Sequence, residues 1–248
     1  MRPSERPERP SERRAAARTA VVWDALRPVL EQPGAAPLDV LDIGGGTGGF
    51  AVRVAELGHR VTVVDPSPDA LASLGRRARE CGVEVTGVQG EVSTLLDVAG
   101  ADSADVVLCH GVLEHVGDPA SALGVLREAV RPGGTLSLLV AQRHAAVLAR
   151  AMAGHFGQAR ALLDPVDPTV DPGRAGHRYT SDELVALLAA ADLHIEQVHG
   201  VRVFADLVPA ALLDLEPGAT AALVELEQAV STRPEYLPLA TQLHVLAR

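Results

Sequence analysis

Five of the six residues at positions 44–49, GGGTGG, are glycine, and two carboxylates stand close to this run. Glycine permits positive φ and lets a ligand lie against the main chain. Asp42 precedes the run by two residues, where its carboxylate can meet an ammonium group. Asp65 ends the next apolar run, where it can accept hydrogen bonds from both hydroxyls of a ribose. The spacing predicts a ligand bound against the loop, through either a phosphate at a helix N-terminus or an uncharged ribose.

A second group of polar residues follows the later apolar runs. His110 and His144 are candidate catalytic bases, which a hydroxyl or amine acceptor would need. Arg143 and Arg202 are candidate clamps for a carboxylate substrate, since a guanidinium binds that group through two parallel hydrogen bonds. Tyr179 is a candidate lid residue in the same substrate region. These types of residue predict a site that recognises an anionic acceptor.

Apolar runs that alternate with helical patterns must position these residues. Strands are predicted at 38–44, 60–65, 84–89, 104–110 and 135–141, and helices at 14–30, 49–57, 68–81 and 119–130, with the RPGG stretch at 131–134 as a turn. This alternation predicts parallel βαβ units in a doubly wound α/β sheet. Beyond it, helices are predicted at 144–163, 181–193 and 218–231, a loop at 164–176, and strands at 241–248 and at 194–204 with a bulge at Gly200.

The chain is predicted to form one domain, 14–248, with a cofactor half at 14–141 and a substrate half at 142–248. Residues 1–13 are charged and proline-rich and are predicted to be a disordered tail. The 22 basic residues, all of them arginine, stand against 32 acidic residues, and the net charge is −10. This balance is unlike that of a protein that binds nucleic acid without specificity.

Cysteine usage and hydropathy narrow the setting. Cys81 and Cys109 are the two cysteines of the chain and have no evident pairing, which predicts a reducing, cytoplasmic environment. No apolar run reaches the roughly 18 residues that span a bilayer, so no membrane contact is predicted. His110 and Glu114 are four residues apart, but no third ligand is evident, so no metal site is predicted.

The glycine loop fits two different patterns. Gly44, Gly46 and Gly49 fit the G-x-G-x-x-G pattern of dinucleotide sites. Gly44, Gly46 and Gly48, preceded by Asp42, fit the D-x-G-x-G-x-G pattern of methyltransferases. A P-loop is excluded because no lysine follows the glycines. Asp42 favours the second pattern, since its carboxylate would repel a pyrophosphate.

Four stretches together resemble the class I S-adenosylmethionine-dependent methyltransferases. They are VLDIGGGTGG, VTVVDPSPDAL, LCHGVLEHVGDP and LREAVRPGGTLSLLV, in the usual order and spacing of that family. The last two have no role in a dinucleotide fingerprint. The resemblance implies S-adenosylmethionine as cofactor and a Rossmann-like seven-stranded sheet with helices on both faces and a C-terminal antiparallel strand.

Other stretches resemble the subgroup that methylates the carboxyl group of 5-carboxymethoxyuridine in tRNA. These are ARTAVVWDAL near the start, AMAGHFGQA at 151–159 and GVRVF at 200–204. The resemblance implies a cofactor site whose residues are spread over the first half of the chain: Arg18, Gly45, Gly46, Asp65, Glu91, Val92 and His110, to which the glycine pattern adds Asp42, Gly44 and Gly48.

We therefore expect a methyltransferase that acts on an ionised carboxylate, which needs no general base at neutral pH. The acceptor expected from the resemblance is tRNA. However, residues 140–210 carry six arginines against eight acidic residues, a net charge of −2, and this favours a small metabolite as the alternative acceptor. Two hypotheses from other classes are an NAD-binding oxidoreductase, which would need a catalytic lysine that the chain lacks, and a cofactor-binding protein without catalysis.

Overall fold

A computed structural model describes residues 10–32, 36–163, 176–213 and 218–248. Its strands are β1 (Asp39–Ile43), β2 (Arg60–Asp65), β3 (Thr86–Gln89), β4 (Ala104–His110), β5 (Val130–Ala141), β6 (Ile195–Val201) and β7 (Gln242–Ala247). They form one seven-stranded sheet in the order β3-β2-β1-β4-β5-β7-β6. The first five strands pair in parallel, and β7 lies antiparallel between β5 and β6. The predicted fold is therefore confirmed, including the antiparallel C-terminal strand.

Ten helices are described. They are α1 (Pro10–Leu30), α2 (Ala51–Glu56), α3 (Pro68–Cys81), α4 (Leu95–Ala99), α5 (Pro119–Ala129), α6 (Arg143–Met152), α7 (Phe156–Ala161), α8 (Ser181–Ala190), α9 (Ala210–Leu213) and α10 (Ala219–Val230). Short 3₁₀ turns lie at Val92–Thr94, Leu113–His115 and Leu237–Leu239. Within the described ranges, no helix has the length and hydropathy that crossing a membrane requires.

The core lies on both faces of the sheet. One face packs against α1, α2 and α3 through residues such as Leu26 and Val54. The other packs against α5 and α8 through residues such as Leu123 and Leu188. Because helices cover both faces, the central strands are nearly continuous apolar runs rather than alternating ones. The chain order reverses between β1 and β4, and in such sheets the ligand binds at the carboxyl ends of the strands at that switch point.

The helix α8 starts with a capping box. The Oγ1 of Thr180 accepts a hydrogen bond from the amide of Glu183 at 3.2 Å, and the Glu183 carboxylate accepts one from the amide of Thr180 at 2.8 Å. This reciprocal pair satisfies two amides that an α-helix leaves without partners at its first turn. The capping box therefore fixes the residue at which α8 begins.

The first helix begins earlier than the sequence pattern predicts. It starts at Pro10 rather than at residue 14, so residues 10–13 are helical and do not belong to a disordered tail. Proline is compatible with the first turn of a helix, because the amide it lacks has no partner there. Residues 1–9 lie outside the described residues, as does most of the predicted loop at 164–176.

Two details of the sheet differ from the predictions. β5 begins at Val130, which pairs with Ala104, and the predicted RPGG turn is an irregularity inside this strand. In β6 the register shift lies between Ile195 and Gln197, whereas Gly200 pairs regularly with Leu243. A Cβ at Gly200 would lie 3.1 Å from the Cβ of Ala240, so close packing explains this glycine and a bulge does not.

Candidate active site

The glycine loop connects β1 to α2, and two of its glycines are required by packing inside the protein. Gly44, Gly46 and Gly48 have φ values of 68°, 55° and 78°. A Cβ at Gly44 would lie 2.3 Å from Cγ2 of Val112, and one at Gly48 would lie 2.3 Å from Cδ1 of Leu74. Side chains at these two positions would collide with the core, so their absence does not by itself indicate a ligand.

Gly46 differs from its neighbours because nothing in the described structure crowds it. The nearest side-chain atom to a Cβ at this position would be Oδ2 of Asp65, at 3.8 Å. At Gly45, by contrast, a Cβ would lie 2.4 Å from Oδ2 of Asp42. Gly46 is therefore the glycine at which positive φ and open space coincide, as close approach of a ligand to the backbone requires.

Asp65 ends β2 beside this loop and is braced by two backbone amides. Its Oδ2 accepts a hydrogen bond from the amide of Gly46 and its Oδ1 one from the amide of Ser67, both at 2.9 Å. A carboxylate has about four lone-pair sites, so both oxygens keep a site for ribose hydroxyls. Asp65 thus couples the glycine loop to the N-terminus of α3 and still faces the cleft.

A cavity of about 530 Å³ lies at the carboxyl ends of β1, β2 and β4. Four of the residues predicted to bind a cofactor line it: Gly44, Asp65, Glu91 and Val92. The opposite wall was not assigned from the sequence, although it follows the HGVLEHVGDP stretch; it includes Gly111, Val112, His115, Val116 and Asp118. A cavity between a glycine loop and a mostly apolar wall, with a carboxylate at one end, suits a nucleoside.

Glu91 and Val92 follow β3 and line this cavity. The Glu91 carboxylate accepts a hydrogen bond from the hydroxyl of Ser93 at 2.6 Å and remains exposed. Val92 is buried in the core beneath it. The pair therefore offers one polar acceptor and one apolar surface, which suits an adenine base with an exocyclic amino group.

Asp42 lies beneath the loop, with only 3% of its surface exposed. Burial, and to a lesser extent the charge of Asp65, raise the pKa of its carboxyl to about 7 against the opposing charge of Arg18. With this pKa, the carboxyl of Asp42 is partly protonated at neutral pH, and a nearby cation favours its ionised form. A positively charged ligand would therefore stabilise the carboxylate.

Two arginines from distant parts of the chain influence each other electrostatically. The pKa of Arg18, on α1, is lowered first by burial and then by the charge of Arg202, whereas the charges of Glu114 and Asp42 raise it. The Nε of each is buried and has no hydrogen-bond partner among the described residues. Arg202 has φ of 57° and bonds Asp206 at 3.1 Å. Each arginine thus keeps one buried donor that an anion could use.

Glu227 of α10 holds the turn that carries Arg202. Its carboxylate is fully buried and accepts hydrogen bonds from the amides of Val203, Phe204 and Ala205 at 2.7–2.8 Å. These bonds end β6 and turn the chain, so the predicted strand at 194–204 stops at 201. Sequence patterns did not reveal this contact, because the partners are more than 20 residues apart.

His110 ends β4 next to the cleft, and the structure does not support it as a general base. Its Nε2 lies 2.8 Å from the hydroxyl of Ser137, and its ring meets the edge of Phe50 at 5.1 Å between centroids. Burial, and to a lesser extent the charge of Arg18, lower the pKa of His110 to about 3. A base this weak accepts a proton poorly at neutral pH. The other candidate base, His144, is exposed in the first turn of α6.

Arg143 and Tyr179, both predicted to bind the substrate, form hydrogen bonds within the protein. The Nη2 of Arg143 donates to both carboxylate oxygens of Glu183 at 2.7 Å, and its side chain is mostly buried. The hydroxyl of Tyr179 donates to the carbonyl of Leu113 at 2.8 Å, and the residue is 5% exposed. Arg143 therefore joins α6 to α8, and Tyr179 packs in the core rather than forming a lid.

Glu114 was missed as a residue of the cleft. Its Oε1 accepts a hydrogen bond from the amide of Ala141 at 2.8 Å, whereas its buried Oε2 has no partner in the described part of the chain. Burial raises the pKa of Glu114, and Arg18 opposes this shift. Across the described ranges, no group of three or more His, Cys, Asp or Glu side chains could hold a metal ion. Glu114 therefore adds a second carboxyl group near Arg18.

Comparisons with known proteins agree with this geometry. A family model for a methyltransferase domain matches residues 41–136. The chain is 33% identical to the tRNA 5-carboxymethoxyuridine methyltransferase of Escherichia coli (strain K12), over 93% of this chain and 87% of that protein. It is 32% identical to the ubiquinone biosynthesis O-methyltransferase of Xanthomonas axonopodis pv. citri (strain 306), over 71% and 73% of the two chains.

A solved structure adds evidence on the fold. Magnesium protoporphyrin IX methyltransferase from Synechocystis PCC 6803, with bound SAH, superposes with a TM-score of 0.65. The match covers 98% of this chain and 89% of that chain at 15% identity. At this identity the similarity shows the fold alone. The arrangement of strands around the cleft is thus one that holds this cofactor product in a solved protein.

Proposed function

The chain belongs to the S-adenosylmethionine-dependent methyltransferases, and on this premise we propose that it methylates an ionised carboxylate, with 5-carboxymethoxyuridine in tRNA as the leading candidate acceptor. S-adenosylmethionine is the cofactor. It supplies a methyl group that is already activated by a positively charged sulfur. The protein then has to bind both reactants, orient the acceptor oxygen and exclude water.

The residues around the cleft fit this cofactor. Asp65 would bind the ribose hydroxyls, and the open space at Gly46 would admit the main body of the ligand. Asp42 would interact with the ammonium group and Arg18 with the carboxylate of the methionine part. Glu91 and Val92 would contact the base at the far end of the cavity.

The observation that carries the proposal is the second arginine. One cofactor carboxylate accounts for Arg18, but Arg202 lies within electrostatic reach of it and keeps a buried Nε without a partner among the described residues. Asp206 pairs with the Nη2 of Arg202, so Nε is the donor of this guanidinium that a second anion would bind. A carboxylate acceptor supplies this anion at the place where the methyl group must arrive.

The weakness of His110 as a base also supports a carboxylate acceptor. The low pKa of His110, about 3, suits a neutral binding residue. A carboxylate is already ionised at neutral pH, whereas a hydroxyl acceptor would need its proton removed. A carboxylate acceptor would therefore need no base from the protein for ester formation.

The surface beside the cleft favours tRNA over a small metabolite. The helical hairpin α6–α7 has no acidic residue between 143 and 163, and it exposes Arg150, Arg160 and Phe156. Of the acids that make the region negative, Glu183 is paired with Arg143. Asp192 and Glu196 lie near the start of β6, at the ends of the strands opposite the cleft. Exposed arginines beside an exposed aromatic ring suit phosphates and unstacked bases. Asp164, Asp167 and Asp171 lie outside the described residues.

A methylation assay tests this proposal. The protein is incubated with S-adenosylmethionine and either tRNA that carries unesterified 5-carboxymethoxyuridine or the free nucleoside, and the methyl ester is measured by mass spectrometry. Ester on the tRNA alone supports the proposal, and tRNA with plain uridine at that position must stay unmodified. Equal activity on the free nucleoside would favour a small acceptor. No ester on either substrate would refute the proposed acceptor.

A variant connects the activity to the second arginine. Arg202→Gln removes the charge that would bind the acceptor, and kcat/KM for tRNA is expected to fall about 10- to 100-fold, as for loss of a charge-assisted hydrogen bond. The dissociation constant of S-adenosylmethionine should stay nearly unchanged. Arg79→Gln on the exposed side of α3 is the matched control and should alter neither value.

A further inference from the structure

A line of polar side chains crosses the sheet beneath α1 and α2. Nε2 of His110 and Nε2 of His244 each lie 2.8 Å from the hydroxyl oxygen of Ser137. These three residues come from the neighbouring strands β4, β5 and β7. The ring of His199 on β6 continues the line, 5.5 Å from the ring of His244 between centroids. We call His110, Ser137 and His244 the histidine–serine chain.

The histidine–serine chain lies in an otherwise apolar layer of the protein. Ser137 and His244 are fully buried, and their neighbours on the same face include Leu108, Leu139 and Leu246. Placing polar groups in such a layer is unfavourable unless they bond to one another. Valine or leucine at positions 137 and 244 would fit the strand pattern better. The two polar residues therefore indicate a role other than packing.

The serine hydroxyl makes the chain directional. It has one proton, so it can donate to only one of the two imidazole nitrogens and must accept from the other. Burial lowers the pKa of both His110 and His244, which keeps both rings neutral. One ring must then carry its proton on Nε2, and the other must carry it on Nδ1.

The surroundings of His244 decide which ring donates. Its Nδ1 is buried and has no hydrogen-bond partner in the described structure. A buried N–H without a partner is rarer in proteins than a buried acceptor without one. His244 is therefore expected to carry its proton on Nε2 and donate to Ser137, which donates in turn to Nε2 of His110. The positive charge of Arg18 favours the opposite tautomer, in which Nδ1 of His110 carries no proton. The attraction between this charge and a neutral imidazole ring is weaker than the hydrogen bond that the opposite tautomer would cost.

We propose that Ser137 and His244 are positioning residues that hold His110 with its proton on Nδ1, so that His110 donates a hydrogen bond to an oxygen of the bound cofactor. With Nε2 bonded to Ser137, Nδ1 is the only ring nitrogen left for a ligand. Contact with Phe50 fixes the ring plane. This inference rests on the proposed placement of His110 in the cofactor site, and the experiments separate the two.

Nitrogen-15 NMR of the histidine rings tests the chain without any ligand. In the free protein, His110 should show a protonated Nδ1 and His244 a protonated Nε2. Ser137→Ala should abolish the single tautomer of His110, and Ser137→Thr, which keeps the hydroxyl, should restore it. A protonated Nε2 on His110 in the unchanged protein, or no response to Ser137→Ala, overturns the proposal.

Cofactor binding tests the consequence. Ser137→Ala should raise the dissociation constant of S-adenosylmethionine about fivefold, as for one weakened hydrogen bond, and change kcat at saturating cofactor less than about twofold. Ser103→Ala, which removes a hydroxyl at the other end of the sheet, is the matched control and should leave binding unchanged. Equal weakening by both variants would indicate general destabilisation and overturn the positioning role.

A double variant shows whether Ser137 acts through His110. His110→Asn places an amide N–H near the position of Nδ1. This donor no longer depends on Ser137 for its proton, so adding Ser137→Ala should cause no further loss of cofactor affinity. Additive losses overturn the proposal. If the NMR result holds but His110→Ala binds the cofactor normally, the chain exists and the placement of His110 in the cofactor site is wrong.

Discussion

The raised pKa of Asp42 predicts that cofactor affinity increases with pH. In the free protein this carboxyl has a pKa of about 7, because burial and the charge of Asp65 outweigh the charge of Arg18. The ammonium group of the cofactor favours the ionised carboxylate. Below pH 7, binding must therefore expel a proton, and the cost of expelling it weakens the complex.

The size of the effect follows from the pKa. Affinity should be nearly constant above pH 7 and fall toward a limit of tenfold for each pH unit below it. Between pH 8 and pH 6 this amounts to about a tenfold loss. Stability of the free protein changes in the opposite sense. A carboxyl whose pKa is raised by folding makes the protein less stable as pH rises from about 4 to 7.

Calorimetry in pairs of buffers that differ in ionisation enthalpy measures both the affinity and the protons released. At pH 6 close to one proton should be released for each cofactor bound. Asp42→Asn should bind more weakly at pH 8 and lose the dependence on pH. Asp69→Asn, an exposed Asp in the first turn of α3, is the matched control and should keep it. S-adenosylhomocysteine has the ammonium group but no sulfonium, so it should show the same dependence.

Two results would refute this reasoning. An affinity that is flat or falls between pH 6 and pH 8 would mean that Asp42 is not linked to the cofactor. A tenfold dependence that persists in Asp42→Asn would assign the proton to another group. If the dependence is present for S-adenosylmethionine and absent for S-adenosylhomocysteine, the sulfonium is the cation that Asp42 meets.

Three further predictions concern stability and affinity together. Glu227→Gln should lower the free energy of unfolding in urea by about 2 kcal/mol, because three backbone amides lose a charged acceptor, and raise KM for the acceptor; an unchanged unfolding midpoint would contradict it. Gly48→Ala should destabilise the protein by about 3 kcal/mol through backbone strain and overpacking. Gly46→Ala should destabilise it by only about 1 kcal/mol but weaken cofactor binding. Thermal unfolding measures the stability of each variant, and calorimetry measures the binding. Arg143→Met should lower the free energy of unfolding by about 1–2 kcal/mol and leave KM for the acceptor unchanged. Adding Glu183→Gln to this variant should recover part of the lost stability. A raised KM in Arg143→Met would instead indicate that Arg143 binds the substrate.

Strands buried on both faces were predictable because their pattern is local. The predicted strands at 60–65 and 104–110 match β2 and β4 in both bounds, since continuous β-branched and apolar runs are typical of covered parallel strands. The start of β5 was not predictable. Turn residues in RPGG favoured a break, and pairing of Ala104 with Val130 extends the strand across it. Tertiary pairing there outweighs local preference.

The candidate site was predictable where single motifs carry it and not where distant residues share a contact. Gly46 and Asp65 follow from local spacing. The pairing of Arg143 with Glu183 joins residues 40 positions apart, so no local pattern favours it over a substrate clamp. Ser137 and His244 carry a local signal, because each is a polar residue inside an apolar strand. Such interruptions are expected to find partners in the core.

On the proposed function, the two ligands bring charges into the cleft that the reaction then removes. In the protein alone Arg18 and Arg202 repel each other, Asp206 pairs with Arg202, and Asp42 and Glu114 have raised pKa values. On the proposed function, the cofactor brings an ammonium and a carboxylate, and the acceptor brings a second carboxylate for Arg202. Transfer forms a bond between the acceptor oxygen and the methyl carbon and breaks the sulfur–carbon bond, so the positive charge on sulfur and the negative charge on the acceptor both disappear. Arg202 then faces a neutral ester, and the interaction that drew the acceptor into the cleft is lost at the moment when the product must leave.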